Sequence, residues 1–186
     1  MCWERISKVI ICLLLLSATA CGQGPDNNPD GTISSTPPAD THDRTLSGSV
    51  VINNVDRDIA LRESDAYELE TDGEHEPVIE NDTLTLTVSY SGGCEIHDFT
   101  LVTDGSFMES DPVQLVVTLT HDANDDTCEA YPTDRYVFDL TPIKTLYQEA
   151  YRTDKGSIIQ LHLRHLLHPR HSGEPGVLSL DYTFAP

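Results

Sequence analysis

Apolar and polar residues alternate with a period of two through most of the chain beyond residue 80, which is the mark of half-buried strands. Leu84, Leu86, Val88 and Tyr90 alternate with Thr83, Thr85, Thr87 and Ser89. Val113, Leu115, Val117 and Leu119 alternate with Gln114, Thr118 and Thr120, Val116 being the exception. Tyr136, Phe138 and Leu140 repeat the pattern, as do Leu178, Leu180, Tyr182 and Phe184. Leu46–Ile52, His97–Thr103 and Ser157–His165 read as further strands, and Asp65–Leu69 as a weaker one. One segment departs from this period. Thr141 can cap a helix, Pro142 suits its first turn, and Ile143, Leu146, Tyr147 and Ala150 share one face, so a short helix is expected before Gly156. Many strands with turn signals between them and a single helix predict a mainly β fold, a β-sandwich of immunoglobulin-like or related type. A partly open β-barrel is the alternative.

The N-terminus follows a different rule. Arg5 and Lys8 precede an apolar core from Val9 to Leu16, and small residues lead to Cys21. This charge-then-hydrophobe order is that of a secretory signal. The core is too short for a permanent span, which needs roughly 20 apolar residues. The stretch Leu16-Ser17-Ala18-Thr19-Ala20-Cys21 resembles the lipobox of bacterial lipoproteins, with Ala18 where that family usually has Leu. The resemblance implies that Cys21 is lipidated and becomes the first mature residue. Gly22, where an Asp would resemble an inner-membrane retention signal, implies outer-membrane sorting in a Gram-negative host. Residues 22–44 are rich in Pro, Gly, Asn, Asp, Ser and Thr, with Ile33 as their one aliphatic residue. Such a segment cannot bury enough apolar surface to offset its ordering entropy, and reads as a disordered tether. Three regions follow: a signal over 1–20, a lipidated cysteine and linker over 21–44, and one β-rich domain over 45–186.

Charge narrows the partners. With 11 Lys and Arg against 31 Asp and Glu, the formal charge is −20. Such a surface repels phosphate backbones and anionic headgroups, so a nucleic-acid partner is not expected. The membrane would be engaged through the lipid, and any further partner would be another protein of the envelope. There is no G-x-S-x-G elbow, P-loop, H-E-x-x-H or dinucleotide glycine fingerprint, so an enzyme is not the expected reading.

The densest chemistry runs from Ser91-Gly92-Gly93-Cys94 through His97, and resumes at His121 and the acidic loop Asp122 to Cys128. The glycine pair permits a tight turn with positive φ after Tyr90. The segment resembles a GGCxxH pattern with a later cysteine found in exported lipoproteins, a resemblance that brings no activity with it. Three readings compete. Cys94 and Cys128 are the two cysteines left after Cys2 and Cys12 leave with the signal and Cys21 is lipidated, and an oxidising compartment would pair them. Alternatively, Cys94, His97, His121 and Cys128 form a zinc or copper site, or His97 and His121 bind metal beside a disulfide. Third, Asp122, Asn124 and Asp126 resemble the start of a calcium loop, although Thr127 and Thr133 stand where glycine and glutamate would be needed. His162, His165, His168 and His171 recur at intervals of three. Pro169 and Gly173 bar a helix there, so they read as a strand entering an exposed hairpin tip, with weak transition-metal binding as the alternative. The chain therefore reads as a lipid-anchored binding or structural module of the cell envelope, and secondly as a periplasmic metal-binding protein.

Overall fold

A computed structural model describes residues 44–53, 57–166 and 175–186. They form eleven strands, two α-helices and one 3-10 turn, arranged as two mixed sheets that do not close into a barrel. This is the expected sandwich and not the alternative barrel.

In chain order the strands are β1 (Thr45–Ser47), β2 (Ser49–Ile52), β3 (Tyr67–Glu70), β4 (Val78–Glu80), β5 (Thr83–Tyr90), β6 (Asp98–Thr103), β7 (Phe107–Met108), β8 (Val113–Asp122), β9 (Thr133–Asp139), β10 (Ser157–His165) and β11 (Gly176–Phe184). One sheet has the order β1-β9-β5-β3, with β4 also on β5. The other has the order β11-β10-β8-β6-β2, with β7 also on β8. Helix α1 (Arg57–Arg62) precedes β3, and α2 (Thr141–Tyr151) links β9 to β10.

The period-two residues face inward between the sheets. Leu84, Leu86, Val88 and Tyr90 of β5, Leu115, Val117 and Leu119 of β8, Tyr136 and Phe138 of β9, and Ile159, Leu161 and Leu163 of β10 are all at most 1% exposed. Four expectations need correction. The run Leu46–Ile52 is two strands, because the chain crosses between sheets at Gly48, where a Cβ would lie 2.1 Å from the Phe138 ring. A second helix, α1, exists where no apolar periodicity announced one. In α2 the N-cap is Leu140, with Thr141 inside the helix. The Asp139 carboxylate, rather than a Thr141 hydroxyl, takes a free terminal amide, that of Thr141, at 2.9 Å. Finally, Ala150 is exposed, and Ile143 and Tyr147 carry the buried face of α2.

The β4–β5 hairpin turns on Asn81 and Asp82, both at positive φ, as a two-residue turn requires. Asp82 then accepts the Tyr182 hydroxyl at 2.7 Å and pairs with Lys144 at 3.4 Å, tying the turn to β11 and α2.

Candidate functional site

The Gly-Gly turn and the acidic loop after β8 meet at one end of the sandwich. Gly92 and Gly93 hold φ of 138° and 108°. This backbone aims three successive amides at one point, and Gly93, Cys94 and Glu95 donate to Asp126 Oδ2 at 2.8, 2.8 and 3.0 Å. Cys128 N–H donates to Asp126 Oδ1 at 2.8 Å. The amides of Glu95 and Cys128, with those around them, hold the Asp126 carboxyl well below the usual carboxylate range. Cys94 and Cys128 are joined as a disulfide, with Cα atoms 6.0 Å apart, clamping the turn to the loop that supplies Asp126.

Inside this clamp lie both predicted histidines. His97 is 1% exposed and His121 4%. His97 Nε2 lies 3.2 Å from Asp126 Oδ2, and His97 Nδ1 lies 2.8 Å from His121 Nε2. A carboxylate only accepts, so the His97 proton sits on Nε2. In the neutral pair, His97 Nδ1 accepts from His121 Nε2–H, and His121 Nδ1 carries the lone pair. That atom is buried and has no hydrogen-bond partner. Burial, and then the neighbouring His97, lower the His121 pKa, so its neutral form is favoured; the Asp65 backbone and carboxylate charge and the Ala66 backbone oppose this. Phe99 stacks on His121 at 4.4 Å, and Tyr90 packs on His97 at 4.4 Å.

A second polar chain backs the first. Tyr136 donates to the His97 carbonyl at 2.9 Å, and Tyr90 donates to Asp134 at 2.5 Å. Asp134 has no exposed side-chain surface, and Arg44 Nε and Nη2 reach its two oxygens at 3.2 and 2.8 Å. Burial pushes the Tyr90 hydroxyl far above its ordinary range, keeping it a donor. None of Tyr90, Tyr136, Asp134 and Arg44 was singled out from sequence. Burial of the two tyrosines was readable from the strand alternation, but their partners carry no local signal.

The other candidates fall as follows. Asp122, Asn124 and Asp126 do not converge on a cation. Asp122 accepts the Asn124 amide, Asn124 Nδ2 donates to the Ile96 carbonyl and Asp98, and Asp126 is spent on N–H donors. The four-ligand thiolate set is likewise absent, since its sulfurs bond each other. His162 is held by Ser179 at 3.0 Å and Gln114 at 2.9 Å, and His165 Nδ1 by the Leu166 carbonyl. His168, His171 and Cys21 lie outside the described residues. Away from the cluster, an open groove of about 420 Å³ runs between α2 and β2, lined by Ile52, Asp139, Pro142, Leu146 and Glu149 among others, with no histidine or cysteine.

No family model matches this chain. No curated protein matches it either. Among solved structures, it resembles a protein from Parabacteroides distasonis described as toxin-related, with a TM-score of 0.50 at 18% identity over 74% of this chain and 61% of that one. It thus spans about three-fifths of that protein's length. A NigD-like immunity protein from Bacteroides caccae scores 0.48 at 15% identity, over 75% of this chain and 64% of that one. A protein from Bacteroides fragilis described as a lipoprotein scores 0.47 at 13%, over 75% and 70%. At these identities the likeness is one of fold. No helix among the described residues is long and apolar enough to cross a membrane.

Proposed function

We propose that this chain is an exported, lipid-anchored module of the bacterial cell envelope that works by binding or bracing rather than by catalysis. The observation that carries the reading is the Cys94–Cys128 bond, a type of closure that persists in oxidising compartments and is rare in the cytosol. Cys21, at the end of the signal-like segment, supplies the anchor, and the linker read over residues 22–44 the reach. The chemistry of the cluster agrees with this. The Asp126 carboxylate is spent on protein donors, and the two sulfurs on each other. Metal handling is the second reading, favoured by one atom: His121 Nδ1 is the lone pair that a zinc or copper ion would have to take.

Replacing Cys21 with Ser and fractionating the expressing cells tests the anchor. The native chain partitions into detergent with a lipid-modified Cys21 as its first residue, and the variant is released or stalls unprocessed. An unchanged membrane fraction with an unlipidated, intact N-terminus rejects it. Elemental analysis of protein purified without added metal separates the two readings.

A further inference from the structure

The four sheet edges are not alike. Three are short, with β1, β2 and β3 at three, four and four residues, and β3 is guarded by Glu68 and Glu70. Short or charged edges are how sheet proteins avoid unwanted pairing. The fourth edge, β11, has nine residues, Gly-Val-Leu-Ser-Leu-Asp-Tyr-Thr-Phe, with no proline, no lysine and Asp181 as its one charge. Among the described residues it pairs only with β10, so no strand is hydrogen-bonded to its outer row of backbone donors and acceptors.

Its side chains show the same incompleteness. Leu161 and Leu163 of β10 are fully buried, yet their cross-strand partners Leu180 and Leu178 of β11, on the same core face, are only half-buried. β4 of the facing sheet and its turn close over the Tyr182 end of the strand but leave these two leucines half covered. On the outer face Val177 is 59% exposed.

We propose that β11 pairs antiparallel with β11 of a second copy of this chain, across a two-fold axis at Leu180. That register sets Leu178 against the partner's Tyr182, Val177 against the partner's Thr183 and Ser179 against the partner's Asp181. Each facing pair is apolar on the core side, and outside it joins an apolar or polar residue to a β-branched or acidic one, with no charge meeting its like. A copy of the same strand also brings the leucines that the open core face lacks, so the two cores become continuous. The −20 charge of each chain opposes the contact at long range, so added salt strengthens it.

The test uses the full chain in host membranes, with Val177→Cys and Thr183→Cys combined and each alone, under mild oxidation. Within one chain these positions lie about 20 Å apart along the strand and cannot bridge. In the two-fold pair they face one another. The double variant should give a covalent dimer on a non-reducing gel, at least about tenfold above either single variant. A second arm uses Val177→Lys with Thr183→Lys on protein in mild detergent. By symmetry it sets two like-charge pairs in register, and should raise the dimer dissociation constant by about tenfold while the circular dichroism spectrum stays unchanged. That direction runs against the lowered net charge, so general repulsion cannot explain it. Double-cysteine cross-linking no better than the singles, a monomer at every concentration, or cross-linking to a host protein of another mass would each overturn self-pairing.

Discussion

Gly92 is where the account of the polar cluster can be tested against a built-in control. Its φ of 138° is one that L side chains rarely adopt, and a Cβ there would stand 2.6 Å from His97 Cε1 and Nε2 and 2.9 Å from Asp126 Oδ2. His97 cannot retreat, with the Tyr90 ring on one side and His121 at the far nitrogen. Gly73 also has positive φ, 59°, but a Cβ there meets nothing within 4 Å. Gly73→Ala should therefore cost the backbone term alone, about 1–2 kcal/mol. Gly92→Ala adds overpacking of about 1–3 kcal/mol to a backbone strain of about 1–3 kcal/mol, for about 2–6 kcal/mol in total. For a domain of this size the overpacking alone amounts to about 3–12 °C in melting temperature. Urea unfolding with the disulfide intact measures both, and equal slopes would show that neither unfolded state has changed. Equal destabilisation of the two variants would mean that His97 and Asp126 are not held against the turn, and the packing argument would fail.

Further outcomes follow from the same contacts. Replacing Cys94 and Cys128 together with Ala frees a separation of 34 residues, and the chain-entropy relation gives a loss of roughly 3–4 kcal/mol, checked by denaturant unfolding. Arg44→Ala removes the Arg44 guanidinium from the buried Asp134 carboxylate and keeps the Tyr90 bond, so a loss of about 2–3 kcal/mol is expected; a chain starting at Thr45 should melt correspondingly lower than one starting at Arg44. Stability should fall on acidification in two stages. His121 has a folded pKa below its unfolded value near 6.5, so the unfolded chain gains protons first as pH drops through that value. Asp126, depressed in the fold, contributes stability above the unfolded carboxyl value near 3.8 and loses it as pH falls further toward the folded one. His121→Phe should remove the first stage and leave the second, as read from urea midpoints across the pH range.

Strands were legible because their alternation is long and regular. β5, β8, β10 and β11 fall within a few residues of where the pattern sets them. β4 and β7, at three and two residues, are too short for a period to show. The crossing at Gly48 was illegible for another reason: alternation says which side chains face inward, not which sheet they belong to. At the site, the two cysteines and two histidines were readable as a group. The role of Asp126 was not, because D-x-N-x-D looks the same whether its oxygens meet a cation or amides. The glycine turn decides that by aiming three N–H groups inward. Asp134 and Arg44 are 90 positions apart, beyond the reach of any local spacing.

The central structural claim is that Asp126, His97 and His121 form a hydrogen-bonded chain, which we propose serves the fold. Nitrogen-15 spectra of the two histidine rings at pH 7, with and without equimolar zinc, test it most directly. The account predicts a proton on Nε2 of each ring, with the His121 Nδ1 resonance of an unprotonated nitrogen and no shift on adding zinc. A proton on His121 Nδ1, or a zinc-induced shift at that atom, would contradict it.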